Sequence, residues 1–265
     1  MITALFISDR QLIGNLGDVD SETTPEGDPA GDDSARVDLA CHAAIFSIVD
    51  DQLSLLLAER NEGPFRFQWE LPGLTPQPHE ELEVAATRAC TPLLDTSLPL
   101  ELRQLGAYGD PGRDPRHRAV AVVYWGVVNN TDLGDVLRNE RSGIRPFPAN
   151  ELTSDDFRFA FDHQQIAADA VTALRQTLNS TSLATRLCSP HFTISELQRV
   201  YEVVFNTEIA AGNFHRKVQN TPGFATAAKD QGRGPKGKGR PAQRFEATSI
   251  VDVSPPFHFE RQPKS

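Results

Sequence analysis

Residues 68–96, QWELPGLTPQPHEELEVAATRACTPLLDT, constrain the fold more than any other stretch of this chain. From Glu80 onward the apolar residues Leu82, Ala85, Ala86, Ala89, Cys90 and Leu93 recur at helical spacing. Such a stripe marks an amphipathic helix with one face buried. Glu80, Glu81 and Glu83 at its start complement the positive end of the helix dipole. Ahead of the helix, Trp69-Glu70-Leu71-Pro72-Gly73 reads as a short strand running into a loop.

The surrounding pattern predicts strands at 37–50 and 52–60, joined by an Asp50-Asp51 turn. Further strands are expected at 100–108 and 119–128, the latter rich in valine and aromatics as a buried strand would be. Strand, strand, helix, strand, strand is the order of an α/β sandwich. Residues 129–148 are polar and proline-bearing and read as a loop or linker. After Phe159-Ala160-Phe161-Asp162-His163 a helix runs to about Leu178, with Asp162 as its N-cap and His163 as a helix-start residue rather than a catalytic group.

On these residues the stretch resembles the box of the Nudix hydrolases, G-x5-E-x7-R-E-U-x-E-E-x-G-U, where U is aliphatic. Glu80 and Arg88 stand at that family's spacing of eight. Leu74 then takes the first glycine, Ala89 the glutamate after the arginine and Cys90 the aliphatic place. Pro92 and Leu93 take the paired glutamates, and Asp95 the last glycine. Nudix enzymes cleave a pyrophosphate with Mg²⁺ clamped by carboxylates along this helix. Ala89 and Leu93 carry no oxygen ligand, while Pro92 removes a helix N–H and biases Thr91 away from the α region. The resemblance thus implies a Nudix-like sandwich with no metal site and no catalytic residue. The alternative is a Nudix-type ADP-ribose pyrophosphatase.

The loop 109–118 carries Arg113, Arg116 and Arg118 among Asp-Pro and Gly turn residues. Guanidinium forks suit a diphosphate bidentately; a solvated basic loop is the plainer reading. Residues 104–118 also resemble the GDP-x-RDPR-x-R loop of Nudix proteins that handle ADP-ribose-like compounds. That likeness implies a nucleotide effector, ADP-ribose or another ADP-containing nucleotide, rather than a cofactor. Phe65 and Trp69 are then candidates to stack an adenine, with a core role for Trp69 as the alternative. Arg60, Arg113, Arg116 and Arg118 are candidates to hold the diphosphate.

Length and charge shape the rest. The 265 residues suit two domains. A net charge of −10 conceals an asymmetry: residues 1–36 hold eight acids against two bases, and residues 213–244 hold eight Lys/Arg against Asp230. Such a basic module points to a polyanionic partner. Residues 1–36 read as a disordered leader. Cys41, Cys90 and Cys188 are isolated, which suits a reducing compartment. The longest apolar run, 119–128, is about half of a membrane span, so a soluble cytoplasmic protein is expected.

Thr193 and Glu196 form a capping box ahead of a helix with apolar Leu197, Val200, Tyr201, Val204 and Phe205. A turn at Asn206-Thr207 leads to a second helix bearing Asn213, His215, Arg216 and Lys217. Two helices across a tight turn fit a helix-turn-helix, whose second helix enters the major groove. A Gly-rich basic run with Arg233, Lys236, Lys238 and Arg240 follows, ending at Gln243-Arg244-Phe245, and reads as a wing. The succession of modules resembles the NrtR family, Nudix-related transcriptional regulators of NAD metabolism. The likeness implies a homodimeric repressor of NAD-biosynthesis and salvage genes that binds double-stranded operator DNA and senses ADP-ribose. Candidate DNA contacts are Thr193, Asn213, His215, Arg216, Lys217, the four wing cations and Arg244. One departure stands out: family members often carry D-R-R-N-F-x-R-K where this chain has Ala210-Ala211-Gly212-Asn213-Phe214-His215-Arg216-Lys217. The expected domains are an effector domain at 37–150, a linker helix at 151–182, a winged helix at 183–250 and a tail at 251–265.

Overall fold

The computed structural model describes residues 36–91, 100–137, 143–154, 156–228 and 243–259. The leader, the box residues Pro92, Leu93 and Asp95, and the wing cations Arg233, Lys236, Lys238 and Arg240 lie outside them.

The first unit of structure is a hairpin. Strands β1 (Asp38–Val49) and β2 (Gln52–Glu59) pair antiparallel through a turn in which Asp50 and Asp51 hold φ of 48° and 61°. Two left-handed residues make the turn whose twist matches its strands, and Asp tolerates that region better than bulkier side chains. The short β3 (Trp69–Glu70) and β4 (Gly73–Leu74) attach to β2 and β1 respectively. At Gly73 a Cβ would stand 2.0 Å from the ring Nδ1 of His42, so a side chain at this position would push the two strands apart.

Helix α1 (Leu82–Cys90) buries Ala85, Ala86, Ala89 and Cys90, as its stripe demands. β5 (Arg103–Tyr108) pairs antiparallel with β6 (Ala119–Val127), and β6 runs parallel to β1 in the middle of the sheet. Nearly every residue of β6 is buried, the reading expected of a strand covered on both faces. The segment taken for a loop contains a further strand, β7 (Ile144–Pro148), antiparallel to β2.

Helix α2 (His163–Ser180) crosses this sheet, and a 3-10 turn (Leu183–Leu187) leads to α3 (Ile194–Phe205) and α4 (Ala211–Asn220). Asn206, in the left-handed conformation, closes α3, and Thr193 and Glu196 form the expected capping box. Phe214 and Val218 anchor α4 inward. β8 (Ala225–Ala227) and β9 (Phe245–Ala247) pair antiparallel as the base of the wing. One apolar cluster runs from Phe46 and Leu55 in the sheet through Ile166, Leu174 and Leu178 on α2 to Tyr201, Phe205 and Phe214.

Two expectations fail here. Asp162 does not cap α2 with its side chain; that carboxylate is taken by an arginine. Residues 251–259 are no tail, since Val253 and Phe257 are buried and Phe259 packs beside them.

Candidate functional site

On α1 the surviving pair of the box is a clamp. Arg88 donates through Nε to Glu80 Oε1 at 2.8 Å and through Nη2 to Oε2 at 2.9 Å, and reaches the Thr75 carbonyl at 3.1 Å. Arg88, aided by the Gln77 amide, holds the Glu80 carboxyl down to about 2. Both Glu80 oxygens are thus spoken for. Ala89 faces the core, and among the described residues no group of three or more His, Cys, Asp or Glu converges to hold a metal. A hard divalent cation wants several oxygen ligands, and among the described residues Glu83 is the one carboxylate within α1.

The arginines gather elsewhere, around Phe161. Its backbone sits at φ 53°, and its ring is met by the Phe65 ring at 4.9 Å, the Arg60 guanidinium at 4.7 Å and the Arg116 guanidinium at 6.0 Å. Arg60 donates to the Pro64 carbonyl at 3.0 Å and is ion-paired with Glu70. Burial raises the Glu70 carboxyl against the pull of Arg60 and Arg116. Arg116 grips the buried Asp114 through Nε (3.0 Å) and Nη2 (2.7 Å), which holds that carboxyl near 2, yet its own side chain remains 48% exposed. Nε and Nη2 are engaged by Asp114, so Nη1 is the guanidinium nitrogen an anion would meet.

Not every expected residue joins this group. Arg113 is buried, 5% exposed at its side chain, and forks onto Asp162 at 2.8 and 3.0 Å. It is a fastener between the 109–118 loop and the start of α2 rather than an open clamp, because its fork is already filled. Arg118 donates to the Gly109 carbonyl at 2.7 Å and shapes its own loop. Trp69 packs against Phe147 at 4.5 Å, under Arg145, in a separate aromatic group with Phe157 and Phe159; its backbone bonds Arg158 and Ala160. Trp69 is half-buried and packs against the main apolar cluster. Phe161, Glu70, Asp114 and Asp162 were missed from sequence. Phe161 and Asp162 meet partners far along the chain, whereas Asp114 pairs with Arg116 only two residues away and its turn-like Asp-Pro setting hid the pairing.

Beneath the group lie two histidines, His163 fully buried and His42 half-buried. His42 Nδ1 donates to the Leu71 carbonyl at 3.1 Å, and His163 Nδ1 accepts from the Leu71 amide at 3.0 Å, with the rings 4.8 Å apart. Burial lowers both imidazoles, His42 to about 4. His163 Nε2 has no partner.

The winged-helix face is mixed. Asn213 and Arg216 are exposed on α4, with Arg216 reaching Asn213 Oδ1 at 3.4 Å. Arg244 is exposed at the start of the β9 side of the wing. Lys217 is bound by the Pro255 carbonyl, with its ammonium 5.7 Å from the Phe257 ring. His215 Nε2 is buried and has no hydrogen-bond partner, although the residue is half-exposed. The Thr193 hydroxyl accepts the Glu196 amide as a cap, which leaves only its own proton for a phosphate.

Comparisons with known proteins follow this division of labour. The NUDIX domain family matches residues 40–170, and the NrtR DNA-binding winged helix domain matches residues 184–246. The chain is 28% identical over 177 residues to the ADPR responsive transcriptional repressor NtrR of Acinetobacter baylyi, covering 66% of this chain and 69% of that protein. It is 30% identical over 129 residues to the ADP-ribose pyrophosphatase of Methanocaldococcus jannaschii, covering 48% and 70%. The crystal structure of Shewanella oneidensis NrtR complexed with a 27mer DNA superposes with a TM-score of 0.69 at 27% identity, covering 79% of this chain and 93% of that one. A Nudix sandwich joined through α2 to an NrtR winged helix makes this chain a member of the NrtR family.

Proposed function

We propose that this protein is a transcriptional repressor of NAD-biosynthesis and salvage genes, with ADP-ribose as the effector of its Nudix domain. The observation that carries the proposal is the position of the Phe161 group. Its aromatic rings and guanidinium donors stand at the very start of the helix that leads to the DNA-binding module. An ADP moiety offers a flat base and a diphosphate, the two features that rings and guanidinium forks recognise. The relative from Acinetobacter baylyi responds to the same compound, and the relative from Shewanella oneidensis binds duplex DNA.

In this reading Phe65 and Phe161 receive the base, while the exposed Arg116 reaches the phosphates and Arg60, held by Glu70 and the Pro64 carbonyl, positions the Phe161 ring. Arg216 of α4, Arg244 and the wing cations contact the operator, with the protein acting as a homodimer. Hydrolysis is absent in this reading because Ala89, Pro92 and Leu93 stand where the box has its metal-binding glutamates. The likeness to an ADP-ribose pyrophosphatase favours a second reading, Mg²⁺-dependent release of AMP.

Two measurements separate them. Fluorescence anisotropy with promoter fragments of NAD-biosynthesis genes should show binding that ADP-ribose shifts. Incubation with ADP-ribose and Mg²⁺ should leave it intact; steady AMP release abolished by EDTA would overturn the regulator-only reading.

A further inference from the structure

We infer that residues 251–259 form a strap that couples the effector end of the molecule to the recognition helix. They follow the NrtR winged helix domain, which ends at residue 246, and they were expected to be a tail.

The strap is bonded to one place, the last turn of α2 and the residues just after it. Val253 N–H donates to the Ser180 carbonyl at 2.7 Å, and Phe257 N–H to the Asn179 carbonyl at 2.8 Å. The Asn179 side-chain amide pairs with both backbone groups of Phe259 at 3.3 Å, a two-bond lock. Val251 exchanges bonds with Ser182 at 2.9 Å in each direction.

Its other face belongs to the winged helix. The Phe257 ring stacks on Phe214 of α4 at 5.7 Å with 22° between planes, and meets Tyr201 of α3 at 5.1 Å. Phe259 packs on Tyr201 and Phe205, both at 5.5 Å. Pro255 holds Lys217 of α4 by its carbonyl. The same nine residues are therefore fixed to α2 by hydrogen bonds and to α3 and α4 by a packed aromatic cluster.

α2 supplies the other half of the device. At 18 residues it is a rod of about 27 Å. Its first turn adjoins Phe161 and the Arg113–Asp162 pair. A small shift imposed there by a bound nucleotide arrives at Asn179 as a rigid displacement, and the strap hands it to α4. Coupling of this kind needs a contiguous packed element that both sites bias. The strap completes one, and it also decides whether Lys217 is free to reach a phosphate.

This inference rests on the repressor reading above, and the test keeps the two apart. In the full chain, wild type and the double variant Asn179→Leu/Phe259→Ala would be titrated with ADP-ribose by calorimetry, and with operator DNA with and without saturating ADP-ribose. Wild type showing neither DNA binding nor any nucleotide response would defeat the repressor reading, whatever the strap does. Given a wild-type response, the variant should keep its ADP-ribose Kd and its effector-free DNA Kd within about threefold. The nucleotide-induced change in DNA affinity should shrink at least about fivefold, the lower end of ordinary allosteric coupling. A full response in the folded variant overturns the strap. A companion measurement needs no substitution: in wild type, ADP-ribose should alter amide exchange at Val253 and Phe257 relative to the strands of the Nudix sheet. Unchanged relative protection there would equally overturn it.

Discussion

His42 and His163 hold the two backbone polar groups of a single residue: one ring donates to the Leu71 carbonyl, the other accepts from the Leu71 amide. That arrangement joins β1, the loop before the box helix and the first turn of α2. It also fixes protonation, since His163 Nδ1 can accept only while the ring is neutral, and His42 donates from Nδ1 with no charge required. His163 is fully buried and His42 half-buried, and desolvation lowers both.

An acid lability follows. The folded-state pKa of His42, about 4, lies below the ordinary value of 6.5, so the unfolded chain binds the proton first and stability rises with pH across that window. The contribution is whole above about 6.5 and is lost as pH falls towards 4; for His42 alone it is on the order of 3 kcal/mol. Urea midpoints measured from pH 8 to pH 4 should decline steeply over this interval. His42→Asn should be less stable at pH 8 but decline more gently; a parallel decline would remove His42 as a cause.

Arg113 illustrates the cost of breaking a buried pair. With its side chain 5% exposed and both fork nitrogens on Asp162, Arg113→Ala strands a carboxylate at the start of α2. The expected loss is about 3–5 kcal/mol of stability, read by thermal or urea unfolding. A loss of ADP-ribose affinity with stability intact would instead return Arg113 to the ligand.

Effector affinity should track the residues that face Phe161. Arg116→Ala is expected to weaken ADP-ribose binding by about 1.5–3 kcal/mol through loss of charged hydrogen bonds. Phe161→Ala should weaken it by about 0.5–1.5 kcal/mol if the ring acts as a stacking platform. Arg118→Ala, whose guanidinium is turned to the Gly109 carbonyl, should act through the loop and weaken binding less. Calorimetry giving the reverse order for Arg116 and Arg118 would relocate the diphosphate.

How far the chain announced all this varies by region, for physical reasons. The Asp50-Asp51 turn and the Thr193–Glu196 capping box were legible because each closes locally, between Val49 and Gln52 and between Thr193 and Glu196. β7 was hidden by its own composition: Arg145-Pro146-Phe147-Pro148 looks like a loop, yet as an edge strand on β2 it tolerates the missing N–H groups. The role of Arg113 depended on Asp162, 49 residues away, and no spacing rule reaches that far. The strap is short and broken by Pro255 and Pro256, so it shows no helical or strand period; its Val253, Phe257 and Phe259 join the core through partners on three different helices.

The last prediction concerns DNA. As a hypothesis drawn from their exposure on α4, Asn213 and Arg216 read base edges, since Asn suits adenine and Arg suits guanine in the major groove. Substituting either with Ala should cost about 1–3 kcal/mol on the operator and relax the choice of base at one position. Arg244 and the wing cations Lys236, Lys238 and Arg240 are assigned to phosphates. Replacing each should weaken all sequences alike and lower the salt slope by about one. Thr193→Ala should act differently from both classes: it removes a helix cap, so about 1 kcal/mol of stability should go while the salt slope hardly moves. A homodimer carries two α4 helices, so the operator should be a near-palindrome with half-sites about one or two helical turns apart. Anisotropy titrations across ~50–200 mM salt, on operator and scrambled duplexes, distinguish these effects. Equal affinity for the two duplexes at every salt concentration would reduce the winged helix to an unspecific basic surface. The Ala210-Ala211-Gly212 start of α4, which lacks the arginines usual in the family, would then be the first place to restore.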